Sequence, residues 1–252
     1  MATNRGALSV GLQAVQATFR GITTVLPLML VYGGVLTALD VLIYSSAMPS
    51  GQMPGQEDLI RVLLPWAAVT LGLEVLIGPI IAACAVYVGR AFAQRRDAAL
   101  AKTPDGAPKA PGTPTLYGAI NFALNRYRRM FVPHAAAQLS IQLGLIIVIP
   151  GILFQMQYAF VDSVASIEDE AAPLNRSKRL TRGRRRSIFL LFLPWLLLSQ
   201  VMIFADLWAM GQSHIHLFGV KSAAFLLYFM MQVSFYLLYH DRTSRRRAAK
   251  ST

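Results

Sequence analysis

Among the ionisable residues inside runs that are otherwise apolar are Asp40, Glu74, Asp162, Asp206 and Lys221. A charge is costly in hydrocarbon, so such residues usually face a partner, a proton path or a wet cavity. Asp206 and Lys221 are nearly equidistant from the turn centred between Ser213 and His214. At 1.5 Å of rise per residue both sit roughly 11 Å below that turn, a register that predicts an interhelical ion pair fixing a hairpin, with transport as the alternative role. Glu74 falls near the middle of its run. It reads either as a carboxyl hydrogen-bonded to a neighbouring helix, or as a proton or cation relay with Asp40 or Asp162. Asp40 lies in the outer part of its run, within reach of an interface.

Other chemistry is thin. His214 and His216 form a His-x-His, but no third ligand is close in sequence, so no metal is expected. Ser, His and Asp occur without a nucleophile elbow, an HExxH, a P-loop or a glycine-rich phosphate motif. No connector is large enough for a catalytic domain, so the chain is expected to be no enzyme and to carry no cofactor. The single Cys84 lies in an apolar run and builds neither a disulfide nor a Cys-based zinc site.

The elements that must position these residues are long and apolar. Only 14% of the 252 residues are charged, and the mean hydropathy is +0.47. Such values reflect runs of about 20 apolar residues, the length a helix needs to cross a hydrocarbon core about 30 Å thick. The reading is all-α: a polytopic membrane protein with six spans at about 22–45, 59–93, 130–149, 152–167, 187–210 and 217–239. The first apolar run is too long for a signal peptide. The second should kink at Gly78-Pro79. The fourth is short and carries Gln155, Gln157 and Asp162, so a re-entrant hairpin from Met130 to Ile167 is the alternative.

Three short amphipathic helices are expected at the interface, over 7–20, 116–129 and 168–186. In the third, Pro173 suits a first turn and Gly183 a C-terminal cap. Residues 97–115, rich in proline, read as a flexible linker, and 241–252 as a basic tail. Arg20 precedes Pro27 by seven residues, Arg126 precedes Pro133 by seven, and a basic run precedes Pro194. That plan suggests three repeated hairpin units at roughly 7–93, 116–167 and 172–240, although inward basic ends alone produce the same pattern.

All of the 24 Lys and Arg except Arg61, Arg90 and Lys221 fall in four stretches that can share one side of a membrane. The connections 46–58 and 211–216 carry none. Basic residues are retained on the cytoplasmic side, which places both termini there and the protein in a bacterial cytoplasmic membrane. Because the net charge of +12 flanks apolar runs, anionic lipid head groups are the expected partner, and nucleic acid is not. The patch Arg176, Lys178, Arg179, Arg182, Arg184, Arg185 and Arg186 suits lipid head groups, or a membrane or cytoplasmic protein partner of acidic character.

From Pro150-Gly151 through Glu168 to the segment LNRSKRLTRG at 174–183, with Tyr239-His240-Asp241-Arg242 near the end, the chain resembles a known group of six-helix membrane proteins. These are the YciC-type bacterial inner-membrane family and the membrane domain attached to some glycerophosphodiester phosphodiesterases. The resemblance implies an integral membrane protein of undefined activity, without the catalytic barrel. The expected role is an accessory or scaffold acting through lipid or protein contacts. The alternative is a small-solute, lipid or proton-coupled transporter using Asp40, Glu74 and Asp162. A transporter requires a polar cavity where such carboxylates converge, whereas a scaffold can pack solid.

Overall fold

A computed structural model describes residues 6–47, 56–100, 112–145, 147–210 and 213–248; the side chains of 44–67, 100, 199, 203, 206–208, 210 and 245–248 lie outside that description. Every regular element among the described residues is an α-helix: α1 Ala7–Arg20, α2 Ile22–Ala47, α3 Gln56–Leu100, α4 Leu116–Leu145, α5 Ile149–Tyr158, α6 Val161–Ile167, α7 Pro173–Thr181, α8 Arg185–Met210 and α9 His214–Ala248. Within them Ile22–Ile43, Ala68–Ala99, Arg185–Met202 and His214–Ser244 are long and apolar enough to cross a membrane. The protein is a multi-pass membrane protein.

The interior is built on α3 and α9. Residues Ile81 to Val86 of α3 are buried without interruption, because their small side chains let neighbouring helices approach from every direction. Phe229, Val233, Phe235 and Leu237 of α9 fill the opposite side of the core. By contrast, α2 exposes Leu26, Leu30, Val31 and Val35, and α8 exposes Leu190, Leu197, Val201 and Phe204. Side chains of this kind on the outside of a spanning helix face lipid.

Two elements differ from the expected layout. The helix over 116–129 does not stop at an interface but runs on as α4 to Leu145, passing through Pro133. Loss of one backbone bond at a proline is tolerated where neighbouring helices hold the flanking turns. The segment 152–167 is not one helix either; it divides between α5 and α6 around Ala159 and Phe160. At 1.5 Å per residue these two helices measure about 15 Å and about 10 Å, so neither alone traverses the hydrocarbon.

The turn joining α4 to α5 is tight. Ile149 N–H bonds the Ile147 carbonyl at 2.7 Å around Val148, whose φ is +61°. That is a γ-turn of the rarer positive-φ kind, costly for a β-branched residue. Val148 N–H also bonds the Leu145 carbonyl and Ile147 N–H the Gly144 carbonyl. The turn exposes Leu143, Ile147, Val148 and Ile149. An apolar tip whose backbone groups bond one another suits hydrocarbon, as in the re-entrant alternative.

Of the helix expected over 168–186, residues Pro173–Thr181 form α7, with Pro173 in its first turn and Gly183 just beyond its end at φ +79°, while 168–172 are not helical and Arg185 begins α8. Of the proline-rich linker, the part 101–111 lies outside the described residues. Its far end is anchored, because the Thr24 hydroxyl donates to the Pro114 carbonyl at 3.0 Å. At the start of the tail, α9 continues in helical form to Ala248.

Candidate functional site: a cavity among five helices

The structure brings Glu74 and Asp162 into one polar system through residues that were not singled out from the sequence. His134 of α4 is buried, and its Nδ1 lies 2.8 Å from Oδ1 of Asp162 on α6. The opposite edge of the ring rests on α3. A Cβ built on Gly78 would come within 2.5 Å of His134 Nε2, so only glycine leaves room for the imidazole there. One turn earlier on α3, Glu74 accepts a hydrogen bond from Gln142 Nε2 at 3.3 Å. His134, Gln138 and Gln142 follow one another at four-residue steps, which places all three on one face of α4.

That face borders a cavity of about 450 Å³, lined by Glu74, Gln138, Gln142, Gln155, Lys221 and Tyr228 among apolar side chains of α8 and α9. Its lining draws on five helices, α3, α4, α5, α8 and α9. A smaller void of about 20 Å³ adjoins it, bounded by His134, Asp162 and Gln232 and sharing Gln138, Ile141 and Gln155 with the larger one. A void of that size and polarity accommodates about one water molecule. Gln138 and Gln155 are thus the polar residues common to the space beside Glu74 and the space beside the His134–Asp162 pair.

Lys221, on the cavity wall, pairs with Asp40. Its Nζ lies 2.7 Å from Oδ2 of Asp40 on α2, and both residues are buried. This partner is on α2, not on the helix related to α9 by the turn. The cause is close packing of α2 on α9, where a Cβ on Gly33 would overlap Ser222 Oγ at 2.4 Å. That approach brings the α2 carboxylate within reach of the lysine. The side chain of Asp206 itself lies outside the described residues.

No protein-family model, no curated protein and no solved structure matches the chain.

A second cluster occupies the basic end of the molecule. Glu168 Oε2 accepts from Arg176 Nε at 2.8 Å, and its Oε1 accepts from the Tyr239 hydroxyl at 2.8 Å. That bond, with the neighbouring Glu170 carboxylate, raises the Arg176 guanidinium pKa despite partial burial. Ser177 Oγ donates to the Gln157 carbonyl at 2.8 Å and accepts from Phe160 N–H, tying α7 to the α5–α6 break. Arg96 Nη2 bonds Asp241 at 2.7 Å, and Arg242 donates to the Arg182 carbonyl at 3.1 Å. The C-terminal parts of α3 and α9 are thus joined to the α6–α7 region.

Much of the expected basic patch is already engaged. Arg176 is bonded to Glu168, Arg179 lies 3.6 Å from Glu170, and Lys178 sits over the Tyr158 ring. Arg182, Arg185 and Arg186 are exposed, and Arg184 is half-buried. His214 and His216 are exposed at the start of α9, and His216 Nδ1 lies 2.7 Å from Ser213 Oγ. Among the described residues no three His, Cys, Asp or Glu side chains converge as a metal site.

Proposed function

We propose that the protein is a transporter of small polar solutes, with Glu74 and the His134–Asp162 pair as the proton-exchanging groups of the path. The observation that carries this reading is the cavity of about 450 Å³ among α3, α4, α5, α8 and α9, with a carboxylate and a lysine in its wall. Ligand sites commonly occupy about 300–1,000 Å³ and combine apolar walls with a few polar groups. Intramembrane carboxylates, imidazoles and amines facing such a space are the usual components of proton and solute paths. An accessory or scaffold role calls for no such space, and it has the weaker support.

The orientation follows from charge. Arg20, Arg95 and Arg96 lie near the C-terminal ends of α1 and α3, and Arg129 and Arg176 pair with Asp169 and Glu168 beside the α6–α7 connection. Placing these arginines in the cytoplasm of a bacterial cell satisfies the retention of basic residues. Kinship with the YciC-type membrane proteins is a proposal of the same standing, carried by Pro150-Gly151, Glu168 and the 174–183 segment.

The reading is tested in proteoliposomes enclosing a pH-sensitive dye, with an imposed potassium diffusion potential. The wild-type protein should pass protons faster than protein-free vesicles, and Glu74→Gln should remove most of that flux. Equal flux from wild type and Glu74→Gln, or no flux above empty vesicles, overturns it.

A further inference from the structure

We infer that the cavity beside Glu74 binds a small organic cation, an amine or ammonium head carried on an aromatic or aliphatic body. As the solute of a transporter this ligand rests on the transport reading; as the occupant of a binding site it is tested by itself.

Charge decides the sign of the ligand. Two basic groups described at this cavity each have a carboxylate of their own. Lys221 Nζ lies 2.7 Å from Asp40 Oδ2, and His134 Nδ1 lies 2.8 Å from Asp162 Oδ1. Glu74 differs from both carboxylates. Its hydrogen-bond donor is the Gln142 amide at 3.3 Å, which carries no charge, and among the described residues Glu74 enters no ion pair. Ionisable groups within a membrane usually pair with an opposite charge. A cation entering the cavity supplies Glu74 with the partner that no described residue provides.

The walls decide the rest of the ligand. Phe192 and Trp195 of α8 and Tyr228 of α9 line the cavity together with Leu196, Leu227 and Met231. Aromatic faces attract a cation, more strongly where water is excluded, and aliphatic side chains suit an apolar body. Such walls offer little to an inorganic ion, which gives up its water only for oxygen ligands. The volume of about 450 Å³ also falls within the range of about 300–1,000 Å³ usual for organic ligands. Gln155 on α5 and Gln200 on α8 add amide oxygens, which accept the N–H donors of an amine.

The test uses the full-length protein in an uncharged maltoside detergent. Binding of tritiated phenethylamine is measured by equilibrium dialysis against protein-free micelles, in competition with phenethyl alcohol, phenylacetate or sodium chloride. These carry the same body without charge, a similar body with the opposite charge, and the positive charge without a body. Wild type should prefer phenethylamine about tenfold or more over each, the scale of one charge-assisted hydrogen bond. Glu74→Gln should abolish that preference, whereas Asp169→Asn, which removes an exposed carboxylate outside the cavity, should keep it. Should Glu74→Gln fold poorly, Ala224→Trp narrows the cavity with Glu74 intact and should weaken phenethylamine binding by a similar factor. Proton flux into proteoliposomes is measured on the same preparations. Equal affinity for phenethylamine and phenethyl alcohol, or a preference that survives both cavity variants, overturns the site; Glu74-dependent proton flux in that case leaves the transport reading standing. Cation preference lost in the cavity variants, in a protein that passes no protons, supports the site and overturns the transport reading alone. Competition by sodium chloride as strong as by unlabelled phenethylamine overturns the organic assignment in favour of an inorganic cation.

Discussion

Replacing Gly78 by alanine should destabilise the protein, whereas the same change at Gly72, in the same helix, should not. A Cβ at Gly78 would lie 2.5 Å from His134 Nε2, while one at Gly72 meets nothing within 4 Å. The first distance is about 1 Å short of a comfortable contact of roughly 3.5 Å. The imidazole is buried and held by Asp162 at 2.8 Å, so moving it by that amount breaks the bond. A hydrogen bond to a charged group contributes about 1.5–3 kcal/mol, and alanine gains about 1 kcal/mol over glycine in helix propensity. Gly78→Ala should therefore cost about 0.5–2 kcal/mol, and Gly72→Ala should gain up to about 1 kcal/mol. Unfolding in mixed micelles by titration with a denaturing detergent reads both. In a His134→Ala background the two substitutions should behave alike, because the overlapping ring is gone. If they already behave alike in the wild-type background, the packing of His134 on α3 is wrong.

Three further outcomes follow. Asp40→Asn or Lys221→Met alone should cost about 3–5 kcal/mol, as removal of one member of a buried pair does, and the double variant should recover more than half; the same detergent titration measures it. Glu168→Gln weakens the bonds from Arg176 and Tyr239 and should lower stability by about 1–3 kcal/mol, with Tyr239→Phe costing less; a double-mutant cycle should show coupling between them. Val148→Gly should stabilise by about 1 kcal/mol because glycine adopts the positive φ without strain, an effect readable as a raised midpoint of thermal unfolding.

What the sequence reveals here depends on how local the cause is. Apolar runs announce the helices over 22–43, 68–99, 185–202 and 214–244, since length and composition alone decide whether a helix can span. Pro173 and Gly183 likewise mark the two ends of α7 by their own backbone chemistry. The division of 152–167 is not legible, because neither Ala159 nor Phe160 is a residue that breaks helices. The Lys221–Asp40 pair was not legible for another reason. Turn register relates α9 to α8, but the order of helices around the bundle, which puts α2 against α9, is a tertiary fact.

Glu74, Asp40, Asp162 and Lys221 could be found as charges in apolar runs, yet what links two of them could not. Gln142 bonds Glu74, His134 pairs with Asp162, and Gln138 lines the spaces beside both. A signal for them existed in the four-residue spacing of His134, Gln138 and Gln142 through an apolar stretch. Polar residues repeating at helical period inside a span trace a wet or partnered face.

The most direct test of the central claim is the accessibility of position 74. Glu74→Cys is made with Cys84→Ala, which removes the buried native thiol, and labelling by a small water-soluble thiol reagent is followed in intact membranes. A cavity open to solute predicts rapid labelling that slows when a bulky residue replaces Gln142 at the rim. Absence of labelling in a protein that is folded and inserted would contradict a solute path through Glu74.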